Sequence, residues 1–299
     1  MPDARGSVTQ TEEFRHGLLA AAARATTVAE LATELSCRLE RFLPHDGYTL
    51  AGLDPLTGVG CLHHDFRPSE GPGSELALAL SLRGRMWGGL VLLRGDDGPP
   101  FSAAEARCAE RLSGPLAAAL RQYVAGKPLR PGRRGLFPGV IVIGPDDTIK
   151  GMSSTARTWL HEFLPETPPA KDDELPHLLW GITHFTRRTR ATALSRIPTH
   201  GGWVAVHAQL LDGKEGEEGD IVITFQSAPA SQLLPAIFVW YGFTPREQAI
   251  VECLMGGLAT KRIARLLGMS PHTVSGHLRS VYRKTGTGGR EELIAGLRQ

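Results

Sequence analysis

The sequence predicts a multidomain α+β protein with antiparallel sheets in front and an all-α domain at the carboxyl end. Its 299 residues suffice for two or three domains, each with its own core. Short apolar runs broken by glycine-rich turns predict strands between residues 48 and 93, and again between 139 and 225. From residue 242 onward, apolar residues recur every three or four positions, which is the spacing of helices.

Residues 1–125 show helices on both sides of a group of strands. A helix from about Thr11 to Ala23 precedes a second one that starts at the capping box of Thr27 and Glu30. Strands are predicted near 48–53, 59–62, 76–82 and 86–93, and Ser102 begins another capped helix. The strand pair before Pro100-Phe101-Ser102 and the order of elements resemble a GAF domain. The resemblance implies an antiparallel sheet flanked by helices.

Residues 126–135 are rich in turn formers and basic residues, which is typical of a linker. A second unit follows over residues 136–230. It opens with a β-branched strand, Gly139–Ile143, continues with helices near 154–163 and 175–186, and ends with three strands. This order resembles a PAS-like domain, which is again an antiparallel sheet with helices packed on it.

The last segment, residues 231–299, contains a helix-turn-helix pattern. Ser270 is a good N-cap and Pro271 suits the first helical position, so a helix starts there. A shorter helix beginning at Thr260 ends at Gly268, whose backbone freedom permits a sharp turn. Two helices joined by so short a turn make a helix-turn-helix, although pairs of surface helices with a tight turn are common in globular proteins of other functions.

The spacing of several short motifs extends this pattern over nearly sixty residues. They are Phe243–Glu247, Gly257–Ala264, Met269–Val274 with His277 and Leu278, and Lys284–Gly286 with Arg290–Leu293. Together they resemble the LuxR-type DNA-binding domain. The resemblance implies a recognition helix that enters the major groove of duplex DNA.

The resemblance also assigns roles to individual residues. Ser275, Gly276 and Arg279 match positions that reach base edges, and Arg279 can bind a guanine bidentately, which is worth about 1–3 kcal/mol of discrimination. Gly276 departs from the family, which usually has a larger polar residue there. The residues that match phosphate or sugar contacts are Thr260, Lys261, Thr273, His277, Arg283 and Lys284.

The distribution of charge agrees with a polyanionic partner. Residues 242–299 carry nine basic and four acidic side chains, whereas the whole chain has a net charge of only +2. The difference leaves residues 1–241 with a net charge of −3. A basic domain gains affinity for double-stranded DNA by releasing counterions.

The final helix, from Arg290 to Leu297, offers a candidate dimer contact. Leu293, Ile294 and Leu297 give it more apolar surface than we expect one short helix to bury, although part of it must pack on its own domain. The resemblance implies that this helix pairs two copies. A homodimer would place two recognition helices one DNA turn apart.

The sequence gives no signal for catalysis, a metal or a cofactor. It has no GxxxxGK[ST] phosphate-binding loop and no nucleophile elbow. His63 and His64 are adjacent on a predicted strand, so their side chains point to opposite faces and do not share an ion. The four cysteines lack CxxC spacing. We therefore expect a protein that is not an enzyme and has no metal site or cofactor.

These observations predict a cytoplasmic transcriptional regulator with a sensory front part and a small-molecule effector in the GAF-like or PAS-like domain. No export signal or apolar run of about twenty residues is present, so no membrane contact is expected. Two alternatives remain open. One is a quorum sensor of the acyl-homoserine-lactone type, for which about 240 residues before the output domain are too many. The other is a signalling scaffold whose helix-turn-helix binds protein.

Overall fold

The chain divides into two compact units, Met1–Gly126 and Lys127–Gln299. The computed structural model describes residues 4–67, 73–96, 98–127, 129, 137–163, 175–199, 202–213 and 219–298. None of the helices in these ranges is long and apolar enough to cross a bilayer.

In its described residues, the first unit has a four-stranded antiparallel sheet and three helices. Its elements are α1 (Ala4–Arg24), α2 (Val28–Leu39), β1 (Gly47–Leu53), β2 (Gly60–Phe66), β3 (Ser74–Leu82), β4 (Arg85–Arg94) and α3 (Ala103–Ala125). The strands lie in the order β2-β1-β4-β3. The capping box predicted at Ser102 forms with Glu105 and starts α3. The first helix begins earlier than the predicted Thr11.

A two-residue hairpin turn and one closely packed glycine shape this sheet. Arg83 and Gly84 both have positive φ, 53° and 74°, as the two-residue hairpin turn between β3 and β4 requires. Gly88 lets β4 approach its neighbours, because a Cβ there would lie 2.2 Å from the Ala51 carbonyl oxygen and 2.8 Å from Leu120 Cδ2. Leu120 of α3 is fully buried, so the helix packs directly on the sheet.

The second unit begins with a five-stranded antiparallel sheet in the order β6-β5-β9-β8-β7. Its elements are β5 (Gly139–Ile143), β6 (Ile149–Met152), α4 (Ser154–Phe163), α5 (His177–Thr189), β7 (Ala193–Thr199), β8 (Gly202–Leu210) and β9 (Ile221–Ser227). The edge strand β6 was missed by the sequence patterns. The close fit of β5 to α4 depends on Gly139, where a Cβ would lie 2.5 Å from Ala156 Cα.

Over residues 219–298, the described part that follows, the second unit continues with five helices: α6 (Ala230–Trp240), α7 (Pro245–Met255), α8 (Thr260–Leu266), α9 (Pro271–Thr285) and α10 (Arg290–Leu297). Helix α6 joins the sheet to the helical part. Arg196 of β7 is 5% exposed and donates through Nε to the Gln232 carbonyl at 2.6 Å. His207 of β8 lies 3.2 Å from Gln232 Oε1. Both contacts hold α6 against the sheet.

Candidate nucleic-acid interface

The predicted recognition helix is α9, and its first residues form the expected cap. The Thr273 N–H donates to Ser270 Oγ at 3.0 Å, and Pro271 occupies the first turn. The helix ends at Gly286, whose φ of 64° is the left-handed conformation typical of a helix C-terminus. The structure confirms the predicted start of this helix.

The inner face of α9 is apolar and packed. Val274 and Val281 are fully buried, and Leu278 is 6% exposed. The preceding helix α8 contributes the buried Ile263 to the same core. Between the two helices, Gly268 has a φ of 64°, and the Met269 N–H donates to the Ala264 carbonyl at 2.8 Å. This turn fixes the outer face of α9 relative to α8.

The nine predicted DNA contacts differ in how accessible they are. Lys261, Thr273, Gly276, Arg279 and Arg283 are exposed, and Thr260, Ser275, His277 and Lys284 are half-buried. Arg279 and Arg283 lie four residues apart on α9, one helical turn from each other. They place two guanidinium groups on the solvent side of the helix.

Ser275 and Gly276 offer less to a base edge than Arg279 does. The Ser275 hydroxyl already donates to the Pro271 carbonyl at 3.0 Å. Apart from the neighbouring residues and backbone of α9 itself, no heavy atom lies within 4 Å of a Cβ built on Gly276, so the surface there is exposed backbone without a side chain. Arg279 is therefore the long exposed donor among the three predicted base readers.

Lys284 is engaged inside the domain. Its Nζ lies 2.6 Å from Glu247 Oε2 and donates to the Gly242 carbonyl at 2.8 Å. The Lys284 side chain is 25% exposed. It ties the last turn of α9 to the start of α7, which sequence spacing did not reveal.

Helix α8 carries two further basic side chains that the LuxR resemblance did not assign to DNA contacts. Arg262 and Arg265 are exposed, like Lys261. Their only signal in the sequence was their part in the basic charge of this segment. Together with Arg279 and Arg283, they make the surface of the two helices strongly positive.

Helix α10 is more deeply packed than expected. Leu293 and Leu297 are fully buried within the single chain, and Ile294 is half-buried. Both leucines pack inside their own domain, because α10 contacts α6 and α9, so neither has exposed surface for a second copy. Among the three predicted dimer contacts, only Ile294 has surface to offer.

Residues 242–296 match the family of bacterial regulatory proteins of the LuxR family. This segment is a LuxR-type helix-turn-helix domain. The match covers α7, α8, α9 and all of α10 but its last residue, and it contains eleven of the twelve residues that the sequence assigned to DNA or dimer contacts, all except Leu297.

Curated relatives are similar to a short part of this chain. A Mycobacterium bovis protein named as an HTH-type transcriptional regulator is 42% identical over 55 residues, which are 18% of this chain and 6% of that protein. The transcriptional regulatory protein FixJ of Azorhizobium caulinodans is 42% identical over 53 residues, 18% of this chain and 25% of its own length. The chain thus spans a quarter or less of these relatives.

A solved Vibrio cholera VqmA–ligand–DNA complex aligns with 55% of this chain and 83% of its own. The identity is 15% and the TM-score 0.26.

Proposed function

We propose that the chain is a DNA-binding transcriptional regulator whose LuxR-type domain inserts α9 into the major groove. One observation carries the proposal: α9 buries Val274, Leu278 and Val281 and exposes Arg279 and Arg283. A helix held on one face and cationic on the other suits a groove lined by phosphates and base edges. The excess of five positive charges in residues 242–299 adds affinity that does not depend on base sequence.

In this proposal, Arg279 reads the base sequence. Its guanidinium can bind N7 and O6 of one guanine, whereas Ser275 is engaged with Pro271 and Gly276 has no side chain. Thr273, His277 and Arg283 of α9, with Thr260 and Lys261 at the start of α8, contact phosphates or sugars. Lys284 is omitted from this set, because it would have to leave Glu247 to reach a phosphate.

We propose further that the regulator binds as a homodimer. Two copies related by a two-fold axis would match half-sites about 34 Å apart along the duplex. Ile294 is the predicted contact on α10 that retains exposed surface. Dimerisation through the front part of the chain is a second route.

The front part is proposed to be sensory. Residues 1–125 form a GAF-like domain, 126–135 a linker and 136–230 a PAS-like domain, each domain with an antiparallel sheet and packed helices. A small-molecule effector that binds one arrangement better than another would shift the population that binds DNA. Gln232 of α6 provides contact between the second sheet and the output helices, since Arg196 and His207 both bind it.

Selection from a random pool of duplexes, followed by titration at several salt concentrations, tests the proposal. The selected duplex is expected to bind with a logarithmic affinity that falls linearly with the logarithm of salt, by about 0.9 for each phosphate contacted. Failure of the full chain to bind any duplex at low salt would contradict a DNA-binding function. Binding to a protein partner through the same surface would then favour the scaffold alternative.

A further inference from the structure

Two residues of the predicted linker dock on the LuxR-type domain. Leu129 is 1% exposed, and its N–H donates to the Thr285 carbonyl at 3.0 Å. The Lys127 carbonyl accepts a hydrogen bond from Tyr241 Oη at 2.9 Å. We call Lys127 and Leu129 the strap. Because both contacts use the strap's backbone, they fix the path of the chain there.

Helix α10 is shaped to receive the strap. A Cβ built on Gly296 would lie 2.9 Å from Leu129 Cγ and 3.0 Å from the Leu129 carbonyl oxygen. The first distance is shorter than real Cβ contacts and the second is tighter than most of them, so a side chain at this position would require Leu129 to shift. Glycine is otherwise unfavourable inside a helix, so its presence here agrees with the close approach of Leu129.

The strap contacts the carboxyl end of the recognition helix. Thr285 is the last residue of α9, where helix carbonyls have no donor from a following turn. The Leu129 N–H supplies one to Thr285. Tyr241, the other partner, directly follows α6 and is 5% exposed.

Along the sequence, the second sheet lies between the strap and α6. Residues 137–227 begin after the strap and end just before α6, and α6 packs on α10. This segment is therefore attached to the helical domain at both of its ends. A change in the separation of those ends would act on the strap and on α6 together.

We propose that the strap is a conformational coupling device: when docked, it holds the carboxyl end of α9 in the arrangement that binds DNA, and its release weakens binding. The proposal rests on the DNA-binding function above. Strap docking and DNA binding are linked equilibria in this proposal, so each must change the other by the same factor. If docking strengthens DNA binding, DNA must strengthen docking by the same factor.

Gly296→Ala tests the device in the full chain, with Gly181→Ala as its matched control. Both glycines lie inside helices, but a Cβ on Gly181 meets no atom within 4 Å. Hydrogen exchange of the Leu129 amide measures docking, and fluorescence anisotropy with the selected duplex measures affinity. Circular dichroism checks that both variants retain their helices.

We expect Gly296→Ala to speed exchange at Leu129 by at least tenfold and to weaken DNA binding at least fivefold, with Gly181→Ala unchanged. In the unaltered chain, saturating DNA should slow hydrogen exchange of the Leu129 amide. The factor of slowing should equal the ratio of the DNA affinities with the strap docked and with the strap released.

Fast exchange at Leu129 in the unaltered chain would overturn the docking itself. If release leaves DNA affinity unchanged and DNA leaves exchange unchanged, the coupling is wrong while DNA binding stands. Absence of any DNA binding would defeat the proposed function instead, and the exchange data would still report docking.

Discussion

Lys284 Nζ lies 2.6 Å from Glu247 Oε2, which joins the last turn of the recognition helix to the first turn of α7. The same carboxylate oxygen accepts the Thr244 N–H at 2.7 Å and closes the capping box that starts α7. The Glu247 carboxylate therefore caps the start of α7 and also holds the last turn of α9 in place. The Glu247 side chain is only 4% exposed, so water does little to screen this pair.

Burial and hydrogen bonding shift the pKa of Glu247 in opposite directions. Burial alone would raise it, but hydrogen bonds from Lys284, the Thr244 backbone and Ser280 outweigh burial and lower the pKa from 4.5 to about 2. A carboxylate with a lowered pKa stabilises the folded state at pH values above its unfolded pKa. That stabilisation is lost as the pH falls from about 4.5 towards 2.

Glu247→Gln should lower the free energy of unfolding at pH 7 by about 2–3 kcal/mol, because Lys284 would keep its charge and lose its anion. Glutamine can still serve in a capping box, so the change isolates the charge. Urea unfolding between pH 7 and pH 3 measures the effect, with the exposed Glu252→Gln on the same helix as control. The two variants should converge at the acid end. Equal stability of both at pH 7 would show that the ion pair contributes nothing.

Gly276→Ala should stabilise the LuxR-type domain. The new methyl group meets no heavy atom within 4 Å, so the helix gains the preference of alanine over glycine, about 0.5–1 kcal/mol, with no clash. Thermal unfolding of the variant should show a higher midpoint. A lower midpoint would mean that the helix uses glycine's backbone freedom at this position.

The sequence predicted best where a local signal was strong. Ser270 and Pro271 located the start of α9 because cap chemistry involves neighbours only three residues apart. The strands predicted near 76–82 and 86–93 left room between them only for a short turn, which the structure places at Arg83 and Gly84. The basic charge of residues 242–299 singled out the segment that matches the LuxR family without any structure.

Other features depend on partners distant in the sequence. Nothing near Lys284 indicates Glu247, which is 37 positions earlier. The edge strand β6 has only four residues, too few for an alternating pattern. Helix α6 contains Pro235, which interrupts its helical pattern, and the burial of Leu293 and Leu297 depends on packing with α6 and α9. Periodicity along one element reports that it has an apolar face, but not which element covers it.

The most direct test compares Arg279→Ala with Arg298→Ala on the selected duplex. Both arginines are exposed in the same part of the chain, and each substitution removes one positive charge, but Arg298 lies at the far end of α10. Fluorescence anisotropy should show that Arg279→Ala binds roughly five to 150 times more weakly, equivalent to about 1–3 kcal/mol, and loses its preference for one guanine. Arg298→Ala should bind within twofold of the unaltered chain. Equal affinity of the two variants would contradict recognition of DNA through α9.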